Sequence, residues 1–202
     1  MARKFKRSPL ALVVLALLYE SPMHPYRMQR LIKDRGKDQV INVEQRASLY
    51  QTINQLLRAG LIAVRETARQ EGFPERTIYE LTNEGRQTAL SWLREMLSTP
   101  AQEFPEFPAA LSLLPLLPPE DVIQQLELRV ARLTDQIAQI DEGIKTYAVD
   151  LPRLFLIESE YVRLMLEAEL KWVRAVIADL RSSELTWNLE WQRKFVPPQT
   201  ED

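Results

Sequence analysis

No cysteine occurs among the 202 residues of the chain. That absence excludes disulfides, thiolate metal sites and cysteine nucleophiles together, and it fits a reducing compartment, here expected to be the cytoplasm. Histidine is almost as scarce: His24 stands alone, so a metal or proton-relay role has little to build on, and a helix cap or junction is the plainer reading. The five glycines form no G-x-G-x-x-G, Walker or G-x-S-x-G motif. With no catalytic constellation, no enzyme activity, metal or cofactor is expected; Glu158 and Glu160 read as acidic groups favoured near a helix start. The longest apolar run, Leu10 to Tyr19, is too short to span a bilayer, and Pro22 and a charged stretch follow it rather than a small-x-small site. A buried helix is predicted there, and no membrane partner.

What is present suffices for a real core: 46% of residues are hydrophobic and 27% charged. Charge is unevenly placed. Residues 1–98 carry 16 Lys/Arg against 10 Asp/Glu, whereas residues 99–202 carry 10 against 18. The first half therefore suits a polyanionic partner and the second would repel one.

Ser8-Pro9 is a cap followed by a first helical residue, and Leu10, Val13, Val14, Leu17 and Leu18 mark a core face. A second helix starts near His24-Pro25, carries Met28, Leu31 and Ile32, and ends at Gly36. In the third, RASLYQTINQLLRAGL, the apolar stripe is Leu49, Ile53, Leu56 and Leu57; Arg46, Ser48, Gln51, Thr52, Gln55 and Arg58 are expected on or beside the outward face, and Gly60 closes it. The period then changes to two: residues 61–67 and 76–81 alternate as strands around QEGFPE. Thr82 caps a fourth helix.

Helix two, a short connection and an outwardly polar helix three fit a helix-turn-helix, and the hairpin fits a wing. Such a unit docks helix three in the major groove of double-stranded DNA while neighbouring elements hold phosphates. The amides of Gln51, Asn54 and Gln55 suit an adenine edge; Arg46 and Arg58 suit guanine or the backbone. Ser48 lies beside them. Lys4 and Lys6, with Arg3 and Arg7, form a basic arm, and Arg65, Arg69 and Arg76 punctuate the hairpin, all expected to give salt-dependent phosphate affinity.

A proline-rich passage, 100–119, encloses a short apolar segment that is predicted to dock as a short helix. Beyond it, Ile123, Leu126, Val130, Leu133, Ile137, Ile140, Ile144 and Tyr147 recur at three- and four-residue steps, a seam for a long partner helix. A last helix, about Phe155 to Leu185, carries Tyr161, Met165, Trp172 and Val176 on an apolar surface wider than one seam. The two can pair within one chain, but the excess of apolar positions favours a homodimer. Trp92 and Trp172 are the provisional lining of a pocket for an apolar or aromatic small-molecule effector; aromatics also simply fill cores. The predicted architecture is mainly α: a winged helix-turn-helix at 1–98 with a two-stranded wing and basic arm, then a domain of long helices at 99–202 for dimerisation and effector response.

LALVVLALLYESPMHPYRMQRLI, then RASLYQTINQLLRAGLI, then ERTIYELTNEGRQTAL resemble, in that order, the PadR family of transcriptional regulators, over about residues 8–98. EFPEFPAALSLLPLLPPEDVIQQL is similar to the start of that family's helical dimerisation region. The resemblance implies a dimeric winged helix-turn-helix protein that represses transcription at a palindromic operator. The family's S-L-Y falls on Ser48, Leu49 and Tyr50, and by that resemblance the Tyr50 hydroxyl is a candidate phosphate contact; its Y-x-L-T-x-x-G falls on Tyr79, Leu81, Thr82 and Gly85, which shape the strand-to-helix junction. Pro25 and Ala47 depart from the glycines usual in the family, which puts the usual operator sequence in doubt. An activator or architectural DNA-binding protein, and a scaffold whose third helix packs on protein, are the competing expectations.

Overall fold

A computed structural model describes residues 7–37, 46–68 and 76–188. They fall into two compact units, Met1–Glu103 and Phe104–Asp202, each described by itself.

The first unit begins with helix α1 (Pro9–Glu20), where the Ser8 hydroxyl accepts a hydrogen bond from the Ala11 amide at 3.2 Å and proline occupies the first helical turn. Helix α2 (Pro25–Asp34) is capped by His24, whose Nδ1 accepts from the Tyr26 amide at 3.1 Å. Helix α3 (Arg46–Arg58) ends before Gly60, which takes the left-handed φ of 71° that a side chain would disfavour. Strands β1 (Ile62–Ala68) and β2 (Arg76–Leu81) pair antiparallel, and helix α4 (Asn83–Ser98) follows.

The core of this unit is buried Val14, Leu15, Leu18, Met28, Ile32, Leu49, Ile53, Leu56 and Ile62, with Trp92 packed against it. Helix α1 touches α3, α4 and β2 at once, so Ala11 and Leu15 are as deeply buried as the predicted stripe, while Leu10 and Val13 are only partly covered. One expectation for α3 is corrected. Thr52 is 9% exposed and not on the outward face; three residues after Leu49 and four before Leu56, it belongs to the inward stripe by spacing although its side chain is polar.

In the second unit, a short helix α5 (Glu106–Leu111) and a 3-10 turn (Leu114–Leu116) lead to α6 (Pro119–Tyr147), whose first turn carries Glu120 and Asp121. A second 3-10 turn (Arg153–Phe155) precedes α7 (Ile157–Ser182). Helices α6 and α7 pack on each other, so the partner that covers Leu126 and Val130 is in the same chain: Val173, Val176, Ile177 and Leu180 share their core. Leu133 is also buried, Ile137, Ile140 and Ile144 are half-buried, and Tyr161, Met165 and Trp172 remain exposed on α7. Arg129 with Glu169, Arg163 with Asp141, and Arg181 with Glu127 pair across the two helices. Trp187, beyond α7, donates its indole N–H to the Leu117 carbonyl at 2.8 Å.

Candidate nucleic-acid interface

Helix α3 separates its side chains by chemistry. Leu49, Ile53 and Leu56 are at most 2% exposed, whereas Gln51, Asn54, Gln55 and Arg58 are all exposed. Positions 51, 55 and 58 fall at the four- and seven-residue spacings of one helical face, and 54 lies beside them. Two-donor, two-acceptor amides therefore stand next to a guanidinium, with no apolar residue among them. Ser48 is half-buried at the edge of this face, and Tyr50 is 46% exposed. Arg46 opens the helix.

The hairpin is irregular where that matters for reach. Val64 pairs with Tyr79 and Glu66 with Ile78, so Arg65 is the extra residue of a β-bulge. A bulge twists its strand and re-aims the inserted side chain, and Arg65 is exposed there. Arg76 opens β2. Lys4, Lys6 and Arg69 lie outside the described residues.

Several contacts fix the hairpin to the helices. Met23 and Tyr79 exchange both backbone hydrogen bonds, at 3.0 and 3.1 Å, adding a third, one-residue strand beside β2. Burial first, and the nearby Tyr50 phenol second, hold the Tyr79 phenol above its ordinary pKa, so it stays neutral. Thr82 accepts from the Gly85 amide at 3.0 Å, and its hydroxyl lies 2.8 Å from the Gly60 carbonyl and 3.0 Å from that of Leu61. Gly85 sits so close to Leu61 that a Cβ would stand 1.9 Å from the carbonyl oxygen. The end of α3, the start of β1 and the start of α4 are thereby knotted at one point. At the far end of α1, Glu20 pairs bidentately with Arg35 after α2, at 2.6 and 2.8 Å. That hydrogen bond pulls the Glu20 carboxyl below its ordinary value.

The two tryptophans named for a pocket have different surroundings. Trp92 is half-buried on the first unit's core, while Trp172 meets Phe107 edge-on, ring centroids 6.2 Å apart, in a groove of 540 Å³ shared with Tyr161 and Met165. Among the described residues no group of His, Asp and Glu is placed to hold a metal ion, and no helix is long and apolar enough to cross a membrane.

Helices α1 to α4 and a two-stranded wing, with the polar face of α3 over an apolar base, make the first unit a winged helix-turn-helix. Residues 14–90 match the model of the transcriptional regulator PadR-like family, and the chain carries a PadR-like domain over that stretch. Solved structures extend the likeness in fold to most of the chain. Bacillus subtilis PadR in complex with operator DNA aligns at 16% identity and a TM-score of 0.68, over 87% of this chain and 99% of that one. The Vibrio cholerae virulence activator AphA aligns at 20% identity and 0.65, over 86% and 99%. Bacillus subtilis PadR in complex with p-coumaric acid aligns at 16% and 0.64, over 85% and 98%. No curated protein matches the chain by sequence.

Proposed function

We propose that this protein is a sequence-specific, DNA-binding transcriptional regulator that acts as a homodimer in the cytoplasm, without enzymatic chemistry. The observation that carries the reading is the α3 surface: exposed Gln51, Asn54, Gln55 and Arg58 opposite a stripe of buried leucine and isoleucine. Amides and a guanidinium are the groups that read adenine and guanine edges in the major groove. Arg65 on its bulge supplies phosphate affinity beside them. A two-fold pair of such domains places its recognition helices about 34 Å apart, one turn of duplex, and thus selects a palindromic operator.

Repression is the proposed outcome, following the resemblance to PadR. A neighbouring fold is named an activator, so activation is the second reading, and the position of the operator relative to the promoter separates the two. Bacillus subtilis PadR, a neighbour in fold, is solved in complex with p-coumaric acid, in keeping with regulation by a small apolar or aromatic effector that favours one dimer geometry.

Enrichment of genomic fragments by the purified protein, sequenced and repeated with Tyr50→Ala/Gln51→Ala, tests the reading. A two-fold motif recovered by the wild type and lost by the double variant is expected. No enrichment at about 50 mM salt, where phosphate contacts are strongest, would favour a protein scaffold instead.

A further inference from the structure

Between α6 and the α5–Leu117 segment lies a cavity of 460 Å³, which shares Phe107, Leu111 and Arg129 with the groove at Trp172 but is otherwise lined by different residues. Its walls are aliphatic: Leu114, Leu117, Leu126 and Leu133 supply methyl groups, and among the described residues Phe107 is the one aromatic ring. Its polar edge is a single ridge of α6, where Gln125, Arg129, Arg132 and Gln136 follow at steps of four, three and four residues. That ridge runs about 16 Å along the helix. Among the described residues, no aspartate or glutamate lines the cavity. Arg129 is already engaged, its guanidinium 3.4 Å from the Phe107 ring centroid and paired with Glu169. Among the described residues Arg132 has no acidic partner.

The geometry points to a binding site for an aliphatic carboxylate of medium chain length, with its alkyl chain among the leucines and its carboxylate at Arg132. Volume falls within the roughly 300–1,000 Å³ of small-ligand pockets. Flat aromatic ligands are less well matched, because leucine methyls rather than ring faces line the space. The cationic ridge sets the sign of the head group. One wall is the segment that directly follows the winged-helix unit in the chain, and its end is pinned by the Trp187 bond to Leu117. Occupancy therefore bears on the stretch joining the two units, which rests on the regulatory reading above only for its consequence and not for binding itself.

Calorimetric titration of the full-length protein without DNA tests the site, with decanoate, 1-decanol and decylamine as probes. Decanoate is expected to bind best and decylamine worst. Arg132→Glu, a change at an exposed position, is expected to weaken decanoate by roughly tenfold or more with little effect on 1-decanol, and Arg132→Lys to retain much of the affinity. Circular dichroism of both variants establishes that they fold. Absence of decanoate binding, equal binding by decylamine, or an Arg132→Glu protein that binds decanoate as tightly as wild type would overturn the proposal. A cavity filled by side chains of a second copy would likewise give no decanoate binding and counts against it. Because no DNA is present, none of these results bears on operator recognition, and loss of operator recognition would leave them intact.

Discussion

Arg65 and Gln55 are both exposed polar residues of one domain, yet they predict different losses. Arg65 stands on a bulge of the wing, and on the proposed function its charge meets phosphate regardless of sequence. Arg65→Ala is therefore expected to weaken operator and random duplex alike and to lower the slope of log K against log salt by about one. Gln55→Ala removes an amide from the α3 face and is expected to cost about 1–3 kcal/mol on the operator alone. Titrations of both variants with both duplexes over a salt series separate the cases; equal losses for Gln55→Ala on the two duplexes would remove it from base reading. Gly85 matters for a different reason. A methyl group there meets the Leu61 carbonyl at 1.9 Å, and backbone is the part of a protein least able to give way. Gly85→Ala is expected to lower unfolding free energy by about 1–3 kcal/mol in urea, with Thr82→Val losing a further cap and anchor of about 1 kcal/mol.

The long helical hairpin makes a pH prediction at the scale of elements. Its surface pairs include Asp141 with Arg163, and Arg153 on the connecting turn with Glu160. Hydrogen bonds from those guanidiniums hold both carboxyls below their ordinary values. Since the folded form then binds protons less readily than the unfolded chain, the contribution is present above the ordinary carboxylate range and lost as pH falls below it. Asp141→Asn is expected to lower Tm slightly at neutral pH, the size being that of a screened surface pair. The gap should close below about pH 4. A gap that widened on acidification would contradict this.

Elements were also the scale most legible in the residues. Ser8-Pro9, His24-Pro25, Gly60 and Thr82 announce helix ends because caps and φ preferences act locally, and the two-residue period of 61–67 and 76–81 announces a hairpin. The α3 face was legible through its spacing. Thr52 was misread because residue type was weighed above position, and the bulge at Arg65 left no sign because an inserted residue leaves the alternation on either side intact. The Met23–Tyr79 bridge, the Trp187 anchor on Leu117 and the cavity beside Arg132 depend on chain segments far apart in sequence, which periodicity does not connect.

For the whole molecule, the decisive question is what covers the outer side of α7. Val173, Val176, Ile177 and Leu180 are spent against α6, yet Ile157, Tyr161, Leu164, Met165 and Trp172 form a second apolar stripe, each 46% or more exposed. Exposed apolar side chains gathered on one helix face suit an interface, and on the proposed function its occupant is a second copy of the chain. Tyr161→Glu/Met165→Glu places charge on that stripe without touching the intrachain core, since the two side chains are 64% and 51% exposed. Sedimentation is expected to show a monomer with unchanged circular dichroism. Operator affinity should fall by roughly 100-fold or more, because two linked half-site contacts become two independent ones, while affinity for an isolated half-site stays within about twofold by the same reasoning. A variant that remains dimeric would place the self-association surface elsewhere on the chain. A monomer that binds the full operator as tightly as wild type would remove the dimer from recognition altogether.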